Sequence, residues 1–169
     1  MADETTMMVA HRLDRLEAAL LTCSSATRLL ERWTGRTIIA RRMPGADKPL
    51  PAAGRDALRL GPGETTSYRR VALTAGEAVL CLADNWYIPA RLDAAMNLAL
   101  VATDQPFGHV VAALGVFRQV LSHGPAEQDG ATVLRLRALV MRQAGPALCL
   151  VDETYLGTLL ACCPAEETP

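Results

Sequence analysis

Residues 147–155, Ala-Leu-Cys-Leu-Val-Asp-Glu-Thr-Tyr, are apolar at odd and even positions alike before they meet two adjacent carboxylates. Successive side chains of a β-strand point to opposite faces, so this segment reads as a strand that is apolar on both sides. Asp152 and Glu153 must then point in opposite directions, and at least one of them faces inward. The contrast is Leu134-Arg135-Leu136-Arg137, where the arginines share one face and the leucines the other, giving that strand a wet side.

In chain order, Val9, Leu13, Leu16 and Leu20 recur at helical spacing and predict an amphipathic helix over 5–21. Ser24 or Ser25 caps a second helix bearing Leu29, Leu30 and Trp33, with Gly35 past its end. Residues 36–43 read as a strand. Residues 44–63 hold four prolines and four glycines and read as a long loop with one short strand at 57–60. Strands at 66–74 and 77–88 follow, joined in hairpin fashion at Ala75-Gly76. Beyond the central helices lie strands at 116–122, 132–143 and 147–155, the first two separated by a polar turn over 123–131. Helices first and in the middle, with antiparallel strands on both sides, define an α+β class: a single antiparallel sheet with helices packed on it. The whole chain, 1–169, reads as one domain with loose tails at about 1–5 and 163–169.

The stretch from Asp84 to Gly108 carries the first functional signal. A strand ends at Ile88, Pro89 breaks it, and Leu92, Met96, Ala99 and Leu100 follow at helical spacing. Thr103 or Asp104 then caps a short helix with Pro106 in its first turn. The amides of Phe107 and Gly108 would fall among the partnerless N–H groups of that helix start, a place suited to an anion.

Charge and cysteine usage narrow the classes. Seventeen basic residues against 18 acidic ones leave a net charge of −1, which favours neither nucleic acid nor an anionic membrane surface. The five cysteines show no Cys-x-x-Cys spacing, and His11, His109 and His123 form no ligand pair, so neither a disulfide framework nor a metal site is expected. The acidic N-terminus lacks the apolar core of a signal peptide, and no apolar run is long enough to cross a bilayer. A reduced cytoplasm fits these features, with the adjacent Cys162 and Cys163 as a reduced tail against the sheet.

Alternation then picks out an inward arginine. In 66–74, Tyr68, Arg70 and Ala72 share one side and Arg69, Val71 and Leu73 the other, so one of the two arginines turns inward. An inward arginine and an inward carboxylate in one sheet have two readings. One is a buried ion pair, which adds little net stability because both charges lose water. The other is a pocket where arginine binds an anion and the carboxylate handles a proton or a hydrogen bond.

Four segments in order resemble the chorismate pyruvate-lyase family, whose fold is shared with ligand-binding domains of certain gene regulators. They are Ser25-Ala26-Thr27, Tyr68-Arg69-Arg70-Val71, Thr103-Asp104-Gln105-Pro106-Phe107-Gly108 and Val151-Asp152-Glu153-Thr154-Tyr155-Leu156. The resemblance implies that Arg70 pairs with the ring carboxylate of chorismate, assisted by backbone amides near Ala26, Phe107 and Gly108. It places Glu153 at the far end of the ring as base or hydrogen-bond partner, across a closed hollow sized for one ring. Pyruvate would leave and 4-hydroxybenzoate would remain, with no cofactor. Ala26 is smaller, and Phe107 bulkier, than the family's pattern. Asn85 stands where a second basic contact is expected. The alternative is a non-catalytic module of the same fold that binds a small aromatic carboxylate.

Overall fold

The computed structural model describes residues 2–125 and 131–162. Six strands form one antiparallel sheet: β1 (Ile39–Arg42), β2 (Ser67–Ala75), β3 (Ala78–Tyr87), β4 (Val116–Pro125), β5 (Thr132–Arg142) and β6 (Ala147–Leu156). Their spatial order is β1-β2-β3-β6-β5-β4, so β6, the strand that is apolar on both faces, sits in the middle. The α+β class expected from the sequence is the one observed.

One face of the sheet carries the main core. Helix α1 (Ala2–Thr22) and helix α2 (Ala26–Thr34) pack Leu16, Leu20 and Leu30, all fully buried, against Leu80, Ala138 and Tyr155 from the sheet. Ser25 caps α2, its hydroxyl accepting from the Arg28 amide, and Gly35 closes it in the left-handed region at φ +65°. Helix α4 (Ala94–Ala102), the short α5 (Phe107–Val110) and α6 (Thr158–Ala161) complete the elements. Among the described residues no helix is long and apolar enough to cross a membrane.

The 44–63 segment departs from expectation. Instead of a strand at 57–60 it forms helix α3 (Ala52–Leu58), ended by Arg59 at φ +49°. Its Ala, Arg, Asp and Leu residues are helix-compatible, and the prolines lie outside it, with Pro51 at its N-cap. Leu58 is fully buried in a second core on the opposite sheet face, with Trp86, Ile88, Leu139 and Leu150. At Gly54 a Cβ would come within 3.0 Å of Leu150 Cδ2, so α3 lies hard against β6.

Three smaller differences follow. Helix α1 begins at Ala2, so residues 2–5 are helical rather than a loose tail. Strand β4 runs on to Pro125, taking in the first three residues of the expected polar turn; residues 126–130 lie outside the described residues, as do Cys163 and the rest of the expected C-terminal tail. Helix α5 has Pro106 at its N-cap with no side-chain cap, because Thr103 instead closes α4, its hydroxyl donating to the Ala99 carbonyl at 2.7 Å. Asp93 caps the start of α4.

Arg91 pins the α3 segment down. Its Nε and Nη2 donate to the two Glu64 oxygens at 2.9 and 2.5 Å, and Nη1 donates to the Leu58 and Ala147 carbonyls. The hydrogen bond from Arg91, with one from the Gly61 amide, lowers the Glu64 pKa from 4.5 to about 2. A carboxylate depressed in the folded state adds stability above its ordinary pKa and loses it on acidification. The pin is therefore expected at full strength above pH 4.5 and released as pH falls toward 2. Hydrogen exchange of residues 52–64 across that window checks this; protection that stays flat between pH 4.5 and 2 would show that Glu64 does not hold the segment.

Candidate functional site

A hollow lies between the core face of the sheet and a roof made of two chain segments. Ser24–Thr27 at the start of α2 and Pro106–Gly108 at the start of α5 form the roof. The floor is Val71 and Leu73 of β2, Ala83 and Asn85 of β3, Val151 and Glu153 of β6, and Val116, Arg118 and Val140 beyond them. The roof segments meet closely: a Cβ on Gly108 would stand 3.4 Å from Ser25 Oγ and 3.5 Å from Thr27 Oγ1. About 50 Å³ inside is open to the centres of water-sized molecules. That is room for a few waters at roughly 10–15 Å³ each. The open volume is less than the roughly 150 Å³ that a benzene-sized ring occupies in an apolar cavity.

Ala26, Phe107, Gly108, Asn85 and Glu153 all line this hollow or its roof. Arg70 is not among them. Its side chain is 38% exposed and lies on the opposite sheet face, with Nε 3.7 Å from Asp84 Oδ1. There it belongs to a row read straight across four strands: Arg70 opposite Asp84, Asp84 opposite Asp152, and Asp152 opposite Arg137. Arg137 grips Asp152 with two bonds of 2.5 and 2.6 Å, and Lys48 Nζ sits 2.7 Å from Asp84. The expected meeting of Arg70 with Glu153 fails because strand side chains alternate with a period of two, so choosing the neighbouring residue reverses the face.

The inward arginine of that pair is Arg69. It is 2% exposed, next to Asn85 in the β2–β3 register. Its Nη2 donates to the carbonyls of Thr103 and Gln105, at 3.3 and 3.0 Å, on the segment that leads into Pro106. Its Nε and Nη1 are buried without a partner. Burial, and then the nearby Arg42, lower its pKa. Among the described residues no carboxylate forms an ion pair with Arg69, so its charge is left to two carbonyls.

The arginine that does face Glu153 comes from β4. Arg118 Nη1 and Nη2 donate to Glu153 Oε1 and Oε2 at 2.8 and 2.6 Å, and the two side chains are 5% and 6% exposed. Tyr155 Oη donates to Glu153 Oε2 at 2.7 Å. Burial works to lower the Arg118 pKa, but the charge and hydrogen bonds of Glu153 outweigh it and the net shift is upward. Burial, then the charge of Glu153, push the Tyr155 phenol well up, so it stays a donor. Arg118 Nε, also buried, has no partner. The sequence held a signal for Arg118, since it alternates in phase with Val116 and Val120, which pack on the core. Nothing local says which carboxylate it meets 35 positions away. Among the described residues no group of three or more metal-ligating side chains assembles.

No family model matches the chain. It is 42% identical over 118 residues to an uncharacterized protein, y4mC, of Sinorhizobium fredii, a match covering 65% of this chain. The match covers about half the length of that curated relative, 50%. Among solved structures it is similar to the effector domain of PhnF from Mycobacterium smegmatis, with a TM-score of 0.57, 13% identity, and coverage of 80% of this chain and 90% of that one. A second structure of PhnF gives a TM-score of 0.58 at 13% identity, covering 82% of this chain and 66% of that one. At such identity the likeness is one of fold.

Proposed function

We propose that this chain is a small-molecule binding domain whose ligand carries a carboxylate, received by Arg69 beside the hollow under α2 and α5. The observation that carries the reading is a buried guanidinium with two donors lacking any partner, in strand register with a cavity-lining residue. Leaving such donors buried and unsatisfied costs on the order of 1–3 kcal/mol or more each, which an incoming carboxylate offsets. The fold shared with an effector domain points the same way. Elimination of pyruvate from chorismate is the second reading, and the inward position of Glu153 is what favours it. Against it stands the state of Glu153: three donors already occupy its two oxygens, leaving no poised base.

Calorimetric titration with benzoate, 4-hydroxybenzoate and chorismate tests this, with pyruvate release from chorismate followed in parallel. Arg69→Met is expected to weaken carboxylate binding by roughly 10- to 100-fold, as loss of a charge-assisted bond does. Arg70→Met is expected to leave it unchanged. Sustained pyruvate release above the uncatalysed rate would refute a binding-only role, and binding indifferent to Arg69 would refute the assigned anchor.

A further inference from the structure

Resting on the carboxylate reading, the next polar group along the floor narrows the ligand further. Asn85 is 4% exposed, lines the hollow, and its side-chain amide has no hydrogen-bond partner among the described residues. It lies among Val71, Ala83 and Val151, so nothing on the floor satisfies its two donors and its acceptor. An amide that faces a cavity with no protein partner is open to one from a ligand.

The register decides what that partner is. Arg69 and Asn85 are directly opposite one another on β2 and β3 and point to the same face. Directly opposed residues have Cα atoms only about 4.5–5.5 Å apart. Asn85 lines the hollow, and the Arg69 guanidinium lies beside it toward Thr103 and Gln105, so a ligand that reaches both would present two neighbouring groups: a carboxylate, and an uncharged oxygen on the adjacent carbon. We infer that the ligand is a 2-hydroxy- or 2-oxo-type carboxylate, on a ring or a chain, with Asn85 donating to the second oxygen. A second carboxylate at that place is disfavoured, because one neutral amide is poor exchange for the hydration of a full charge. The Thr27 hydroxyl, buried in the roof and likewise without a partner, is a further group for the same oxygen.

Four probes separate the possibilities: salicylate, benzoate, 4-hydroxybenzoate and phthalate, titrated against the native chain, Asn85→Leu and Asn85→Asp, with melting curves to confirm folding. In salicylate the phenol O–H turns to its own carboxylate, leaving the phenol oxygen to accept from Asn85. Salicylate is expected to bind about tenfold or more tighter than each of the other three. Asn85→Leu is expected to bring salicylate down to the benzoate level while benzoate itself holds. The near-isosteric Asn85→Asp is expected to abolish the salicylate advantage and weaken all four. Benzoate binding that depends on Arg69 but shows no salicylate preference, or a preference that survives both variants, overturns the assignment of Asn85 and leaves the carboxylate reading standing. No binding by any probe, or binding unmoved by Arg69→Met, overturns both.

Discussion

Replacing Arg118 with alanine is expected to destabilise the fold by about 3–5 kcal/mol, among the largest effects of any single side chain here. The reason is not the strength of the pair but what its loss leaves behind. Glu153 is 6% exposed and holds a bidentate guanidinium at 2.8 and 2.6 Å. Without it, only Tyr155 remains to solvate a buried carboxylate. Glu153→Gln is expected to cost less, because a neutral amide still accepts one bond from the arginine. The double replacement Arg118→Leu with Glu153→Met is expected to fall within about 1–2 kcal/mol of the native chain, since removing both charges also removes both desolvation penalties. Urea unfolding of the three variants tests the set. If Arg118→Ala lost less than about 1 kcal/mol, the carboxylate could not be sealed from water in the folded chain.

Trp86→Ala is expected to cost about 3–5 kcal/mol from the opposite side of the sheet. Trp86 is 3% exposed, packs with Leu58, Ile88, Leu139 and Leu150, and lies 5.6 Å from the Tyr68 ring between centroids. Its indole N–H donates to the Lys48 carbonyl at 2.9 Å, tying the 44–50 stretch to β3. The cavity thus created is one the surrounding sheet cannot collapse, because β3 and β6 are fixed by neighbours on both sides. Where the protein still folds, ligand affinity in the hollow is expected to hold, since Trp86 does not line it. Equilibrium unfolding and the titration above check both halves. A large loss of affinity with little loss of stability would mean that the two faces communicate.

Much of this architecture is visible in the residue string because its signals are local. Ser25 and Gly35 announce the ends of α2, and Gly76, at φ +61°, marks the β2–β3 turn where the sequence places it. The α3 helix was obscured because its burial against Trp86 and Leu150 depends on partners far along the chain, while the prolines around it argue locally for a loop. Position 70 against 69 is a different kind of failure. Alternation says that one of two adjacent arginines turns inward, and only the pairing of β2 with β3 says which. Arg118 shows the same limit: its inward phase is legible, its partner is not.

The mixed row Arg70–Asp84–Asp152–Arg137 has a bearing on how the sheet assembles. Hydrophobic alternation tells a strand which way up to lie, yet it is indifferent to sliding by two positions. Slide β6 by two against β5, and Arg137 meets Leu150 or Thr154 rather than Asp152. Slide β3 by two against β2, and Arg70 meets Leu82 or Trp86 rather than Asp84. The observed alignment sets Arg70 beside Asp84 and Arg137 beside Asp152 together, so these four half-buried charges act as a vernier that favours it over alignments the apolar positions alone would tolerate.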